Sequence, residues 1–253
     1  SAGTSIFAMV VLERPLDRPH DELDLVTTPS GDLVAMVHCN NGASELAAWV
    51  GLFERFATIA GSTLDADGIF AALFRESLDG EPDAGGILSY NHLAGEPIAG
   101  LAEGRPLVIR TPDSRLTLAN FMRSQLYGVF GTLALGMRVL AEEGVELDRM
   151  YAHGGVFRTA GVAQRFLAGA LDAPVAVAAT ASEGGAWGIA VLAAFVADPD
   201  AEALDAFLTE RVFARTAFDA VAPDPEDVPG FAAYLDRYRA GLAIEQTAIA
   251  ATP

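Results

Sequence analysis

The chain has 253 residues, 51% of them hydrophobic and 20% charged, which supplies a substantial core and excludes a disordered chain. Its formal net charge of −18 argues against nucleic acid or an anionic membrane surface as a partner, although backbone amides and a metal ion neutralise a bound phosphate locally. A lone cysteine, Cys39, excludes an internal disulfide framework, fits a reducing compartment and reads as a small buried hydrophobe on a strand.

Residues 6–12 and 33–39 are rich in Val, Met, Ile and Phe and read as strands, with a third at 25–28. Pro29-Ser30-Gly31-Asp32 is a hairpin turn, so the sheet begins antiparallel. The strand pattern starts almost at residue 1, which leads to the expectation that these residues are a piece of a longer protein. From 44 to 60 the period becomes helical, with Leu46, Trp49, Val50, Phe53 and Phe56 on one face. Ser44 is the expected N-cap and Gly61 the C-cap. A second helix is expected at 65–77 and a short strand at 86–90. Residues 91–114 form the main irregular stretch, and loops of that length are commonly functional.

Thr117 is placed to cap a helix running to about residue 143 whose interior is apolar nearly all round. A further strand at 150–153 leads into Gly154-Gly155, followed by a helix at 161–171, a strand at 174–179 and a small-residue helix at 184–196. The uncharged stretches 124–137 and 184–197 are shorter than the roughly eighteen residues that cross a bilayer, and both read as buried helices. No signal peptide is visible, because Ser1-Ala2-Gly3-Thr4-Ser5 lacks a basic n-region. The expectation is a soluble, cytoplasmic protein with no membrane partner. Residues 201–253 read as helical, interrupted by the proline-acidic spacer 222–228, taken as a solvated loop. Trp49 and Trp187 read as core anchors.

Gly154-Gly155 carries two readings. It is a structural turn, or a place where a flat or anionic ligand meets the backbone at a helix N-terminus. Among the four histidines, His92 in the irregular loop has the best claim to a ligand, His153 reads as a hydrogen-bonded structural residue, and no metal-ligand spacing is present. No Ser-His-Asp constellation or nucleophile elbow is found.

The order of these pieces resembles the carbohydrate kinases of the FGGY family. Ser1-Ala2-Gly3-Thr4-Ser5 is similar to their Ser-x-Gly-Thr-Ser hairpin, and residues 87–97 resemble their Pro-Tyr-x-x-Gly-Glu-Arg-x-Pro loop. Residues 121–131 are similar to a buried helix of the family, and Gly154-Gly155 with 164–168 to the adenosine loop and its helix. Residues 171–175, Glu183 and 186–190 resemble the closing strand and helix. The likeness covers 1–197, with 201–253 as a helical extension of a single domain spanning 1–253.

The resemblance implies an α/β domain of RNase H-like (actin, hexokinase) fold, a mixed sheet flanked by helices. It implies the half of a kinase that mainly holds ATP, with Mg²⁺ bridging the phosphates, no metal ligand of its own, and a catalytic aspartate upstream of Ser1. The sugar would be met through an N-terminal half outside this chain, and a homodimer is a further expectation. Carried over by position, Gly3 and Thr4 form the phosphate hairpin, Gly42 stands beside the nucleotide at a helix entry, and Gly154 and Gly155 form the adenosine platform. Thr159 stands where several members carry an amide, Pro97 replaces the loop arginine, and Tyr127 replaces a helix glutamate. The implied activity is phosphorylation of a ketose (pentulose or hexulose) or related polyol. The alternative is a non-catalytic sensor or assembly module of the same fold, and the residues upstream of Ser1 discriminate the two.

Overall fold

Alternation of small β-branched and aliphatic residues decides the first sheet. In the computed structural model, which describes residues 1–178, 184–201, 203–214, 216 and 218–252, strand β1 (Ile6–Val11) buries Ile6, Ala8 and Val10 while Met9 and Val11 face outward. It pairs antiparallel with β3 (Leu33–Cys39), with Ile6 opposite Cys39 and Val11 opposite Val34. β2 (Asp24–Thr27) pairs with the other edge of β3 across the expected turn, where Thr28 N–H and Asp32 O close the hairpin. The order is β1-β3-β2.

Helix α1 (Ser44–Ile59) follows, then α2 (Ala66–Glu76), whose cap Asp65 accepts a hydrogen bond from Gly68 N–H. Ser44 is the first helical residue of α1 and not its cap. The cap position is Ala43, whose methyl side chain cannot cap and whose N–H donates to Gly3 O, 2.8 Å away. β4 (Leu88–Tyr90) and β5 (Leu107–Ile109) form an antiparallel pair, and α3 (Leu118–Glu142) starts at Thr117, whose hydroxyl accepts from Asn120 N–H. α3 is the central helix of the molecule: β1, β3, β4, α2, α4 (Val162–Leu171) and α7 (Asp227–Ala251) all pack on it.

A second, mixed sheet joins β6 (Met150–Ala152), β7 (Val175–Ala178) and β8 (Phe218–Val221), parallel between β6 and β7 and antiparallel between β7 and β8. The remaining helices are α5 (Gly184–Ala197) and α6 (Leu204–Phe207), the latter continuing as a π turn. The layered α/β architecture follows the sequence reading. Three details do not.

Residues 201–253 are not all helix, since β8 lies among them, and α7 is built into the core: Phe231, Tyr234 and Tyr238 are fully buried. The acidic spacer is not a solvated loop. Asp227 is 1% exposed and takes the guanidinium groups of Arg123 and Arg165, while Asp224 pairs with Arg165 at 3.1 Å. Those arginines arise from α3 and α4, distant in sequence, so local composition carried no trace of the pairing.

The third detail is α5. It has no buried residue, and its Trp187 is 39% exposed, so neither the helix nor that tryptophan is a core element. Apolarity all round gives a helix no preferred face, and Gly185 and Gly188 have no neighbouring atom within 4 Å of a would-be Cβ. Among the described residues, no helix is long and apolar enough to cross a membrane.

Candidate functional site

The Gly3-Thr4 turn is built by its own backbone. Gly3 N–H donates to Ser5 O at 2.9 Å, reversing the chain between Ala2 and Ile6, and leaves Thr4 exposed at the tip. The turn is then bound from two sides. Gly42 N–H donates to Thr4 O at 2.7 Å and Ala43 N–H to Gly3 O, while Ala2 N–H donates to His153 O at 2.9 Å.

These contacts explain two glycines. A Cβ on Gly42 would lie 2.3 Å from Gly3 O, and one on Gly154 would lie 2.2 Å from Ala2 O. Gly154 also sits at φ +117°, outside the range of ordinary L-residues. Both are therefore glycine because the protein's own backbone approaches them. The Gly154 turn thus has a structural role, whereas nothing lies within 4 Å of a Cβ placed at Gly155.

The structure thus gathers Gly3, Thr4, Gly42, Gly154 and Gly155 at one junction, where the first turn of α1 meets the ends of β3 and β6. The N-terminus of α1 has no side-chain cap, so its first-turn amides and the positive end of its dipole are available to an anion. Thr159 closes the 3-10 turn Gly155–Arg158 and is 6% exposed, so it presents little surface. Its neighbour Arg158 instead reaches α2, where it pairs with Asp67 at 3.2 Å and lies 3.6 Å over the Phe70 ring.

A cavity of about 520 Å³ opens beside this junction, at the C-terminal ends of the parallel strands β6 and β7. Ala152, Ala176 and Ala178 line it, with Trp187 and Phe213. The size and apolar lining suit a flat heteroaromatic ring. His153 forms part of the wall against Gly184, the first residue of α5, and burial lowers its pKa, favouring a neutral imidazole. Glu183 of the expected closing segment, and Ala179 of the expected strand, lie outside the described residues.

Sequence reasoning missed the polar cluster that supports Gly42. Asn41 donates to Glu96 Oε2 through both its backbone N–H (3.2 Å) and its side-chain amide (3.0 Å), and its Oδ1 accepts the N–H groups of Leu93 and Ala94. Asn91 Nδ2 donates to Gly42 O at 2.7 Å. The irregular loop is therefore clamped onto the entry of α1 by buried side chains, with Glu96 fully enclosed. The Gly95-Glu96 pair was the only signal of this in the sequence.

His92 does not face a ligand. It is fully buried, with Nδ1 2.8 Å from Glu245 Oε2 of α7 and Nε2 3.0 Å from Thr132 Oγ1 of α3, so it ties the loop to two helices. Tyr127, in place of the family's helix glutamate, is likewise enclosed, receives Arg123 Nε–H and donates to Pro82 O; burial pushes its phenol up to about 12. Cys39 is fully buried, and its thiol is pushed far up by burial and then by the Glu96 carboxylate, so it stays protonated. Among the described residues, no group of three or more His, Cys, Asp or Glu side chains is set to hold a metal ion.

Comparison with known proteins gives this junction a context. No curated protein sequence matches the chain. Among solved structures, it is similar to a xylulose kinase from Rhodospirillum rubrum (TM-score 0.67, 20% identity, covering 95% of this chain and 45% of that one). It is similar to a gluconate kinase from Lactobacillus acidophilus (0.67, 18%, 97% and 47%) and to Plasmodium falciparum glycerol kinase with ADP (0.65, 13%, 97% and 46%). The chain thus spans less than half the length of each, and the likeness shows the fold, the actin- and hexokinase-type α/β domain. The model of the C-terminal domain of the FGGY family of carbohydrate kinases matches residues 1–197, and the chain accordingly belongs to that family.

Proposed function

We propose that this chain is the nucleotide-binding half of an ATP-dependent kinase acting on a ketose or a related polyol. The observation that carries the reading is the junction itself: a hairpin tip, an uncapped helix N-terminus and an open Gly155, next to an apolar cavity of about 520 Å³ whose wall includes His153, the residue before Gly154. The adenine ring takes the cavity, and Gly155 leaves the backbone open to the ribose. The α1 amides and the Gly3-Thr4 tip, with the Thr4 hydroxyl as a donor, face the phosphates. Gly42 and Gly154 hold those parts together, and Thr159 supports the turn from below.

Mg²⁺ would screen the phosphates and be held mostly by them and by water. The role left to this chain is to bind and orient ATP, while the sugar and the base that accepts its hydroxyl proton belong to the remainder of the protein. The 253-residue chain alone is expected to bind nucleotide and to turn over no sugar; robust sugar phosphorylation by it would overturn this division of labour.

Thermal melting with Mg·ATP against Mg²⁺ alone tests the site. Occupancy at roughly 100 times Kd should stabilise the fold by about 2.7 kcal/mol. Gly155→Val should remove that gain without lowering the melting temperature of the free protein, since its side chain enters open space. A ligand-induced shift that survives Gly155→Val, or no shift at any ATP concentration, would sink the assignment.

A further inference from the structure

The clamp behind Gly42 holds a charge that no protein group balances. Glu96 is fully enclosed, and its Oε2 accepts two hydrogen bonds, both from neutral amides of Asn41. Its Oε1 is buried and accepts none. Among the described residues no arginine or histidine pairs with Glu96, and the sequence contains no lysine. A carboxylate taken out of water is costly unless a partner compensates it.

A second unpartnered oxygen lies on the same loop. Asn91 is 4% exposed, and its Nδ2 donates to Gly42 O at 2.7 Å and to Asn41 O at 3.3 Å. Carbonyls only accept, so this amide cannot be turned round, and Oδ1 is the atom left buried without a donor. Asn41 is fixed in the same way, because its Oδ1 takes the N–H groups of Leu93 and Ala94. Its Nδ2 meanwhile donates to Ala94 O and to Glu96 Oε2. Both amide nitrogens thus use both hydrogens, while Glu96 Oε1 and Asn91 Oδ1, packed on the same Asn41-Gly42 dipeptide, receive none.

What two such oxygens call for is a hydrogen donor or a cation. A water supplies hydrogens but leaves the charge in place. A divalent ion overshoots it, since one carboxylate and one carboxamide total a single negative charge, and Mg²⁺ gives up its waters reluctantly for so few ligands. A monovalent ion brings the sum to zero, and hard oxygen donors suit it. We infer that Glu96 Oε1 and Asn91 Oδ1 bind a monovalent cation, Na⁺ or K⁺, behind the entry of α1. The ion fastens the irregular loop to Asn41 and Gly42, and Gly42 N–H in turn holds Thr4 O. The inference stands apart from the nucleotide reading, because the free protein tests it.

The test melts the 253-residue chain without nucleotide, at fixed chloride and ionic strength, while Na⁺ or K⁺ replaces tetramethylammonium stepwise. Tetramethylammonium screens the acidic surface equally but is too bulky for an enclosed site. Na⁺ or K⁺ should raise the melting temperature saturably, by about 2–5 °C. Glu96→Gln keeps the shape and removes the charge; it should lose that dependence and, in tetramethylammonium, melt no lower than the unsubstituted chain. Glu103→Gln, at an exposed carboxylate of the same loop, should keep the dependence. A series of Li⁺, Na⁺, K⁺ and Cs⁺ on the unsubstituted chain decides the matter even where Glu96→Gln does not fold, because an enclosed site sorts ions by radius. Equal melting in every cation, the result a buried water in the ion's place would give, would overturn the inference. So would an alkali-ion shift that persists in Glu96→Gln, or one of the same size for all four ions.

Discussion

Helices α3 and α5 look alike on paper and behave oppositely in the fold. Both carry long uncharged apolar stretches studded with glycine. α3 buries its side chains on nearly every face, including Asn120, Arg123, Gln125 and Thr132, each with a hydrogen-bond partner; α5 buries none. Hydrophobicity measures what burial would gain, whereas neighbours decide whether burial occurs. α3 has them on all sides, supplied by the first sheet, the β4-β5 pair and helices α1, α2, α4 and α7. α5 meets the fold at its first residue, where a Cβ on Gly184 would lie 2.6 Å from His153 Nδ1, and along one side through Trp187 against Phe213 and Phe195 against Phe207.

Core substitutions should separate the two helices most widely. Asp227→Ala strands the buried Arg123 of α3 without its carboxylate and should cost about 3–5 kcal/mol in urea unfolding. Replacing the pair together, Arg123→Met with Asp227→Leu, should recover most of that loss. Phe130→Ala, on the same helix, should cost about 3–5 kcal/mol, against about 0.5 kcal/mol or less for Ile189→Ser on α5. A cost at Ile189 comparable to that at Phe130 would show α5 to be a core helix and erase the contrast.

Glycine-to-alanine changes sharpen it at smaller scale. A Cβ would fall 2.7 Å from Ser89 O at Gly128 and 2.4 Å from Val37 Cγ1 at Gly136, so alanine at either should cost about 1–3 kcal/mol. At Gly188 of α5 the space is empty, and alanine should stabilise by up to about 1 kcal/mol through helix propensity alone. Destabilisation at Gly188 would point to a close neighbour on α5.

The smallest effect is electrostatic. Glu143, at the end of α3, is held below the usual carboxylate range by the Asp17 N–H and then by His20, 2.6 Å away. Asp224, before α7, is held down chiefly by the Glu226 N–H. A depressed folded-state pKa means that the unfolded chain binds protons more tightly. The contribution of these two carboxylates should therefore be constant well above about pH 4 and fall as pH drops through the depressed values. Glu143→Gln should flatten that acid limb slightly; an unchanged limb would dissociate Glu143 from it.

Much of the fold was legible because it is local. The 29–32 turn, the Asp65 and Thr117 caps and the period of α1 each lie within a few residues of the signal that reveals them. β8 was not, since Phe218–Val221 is short and becomes a strand only through its partner β7. The candidate site was half legible. Gly3, Gly42 and Gly154 were singled out from the sequence and meet at one junction, but Ala2 against Gly154, and Asn41 with Glu96 behind Gly42, are contacts between distant segments.

By itself the sequence determined the element order as far as α5 in outline, the antiparallel start, the absence of a disulfide framework and the family, because these depend on composition, period and motif spacing. Only the tertiary structure decided which carboxylates are buried, that His92 is a brace and not a ligand, and that α3 is enclosed while α5 is bare. The physical reason is shared: a buried charge or an apolar face is stable only when another segment covers it, and the hydrophobic and electrostatic terms do not specify from one strand of text which segment that is.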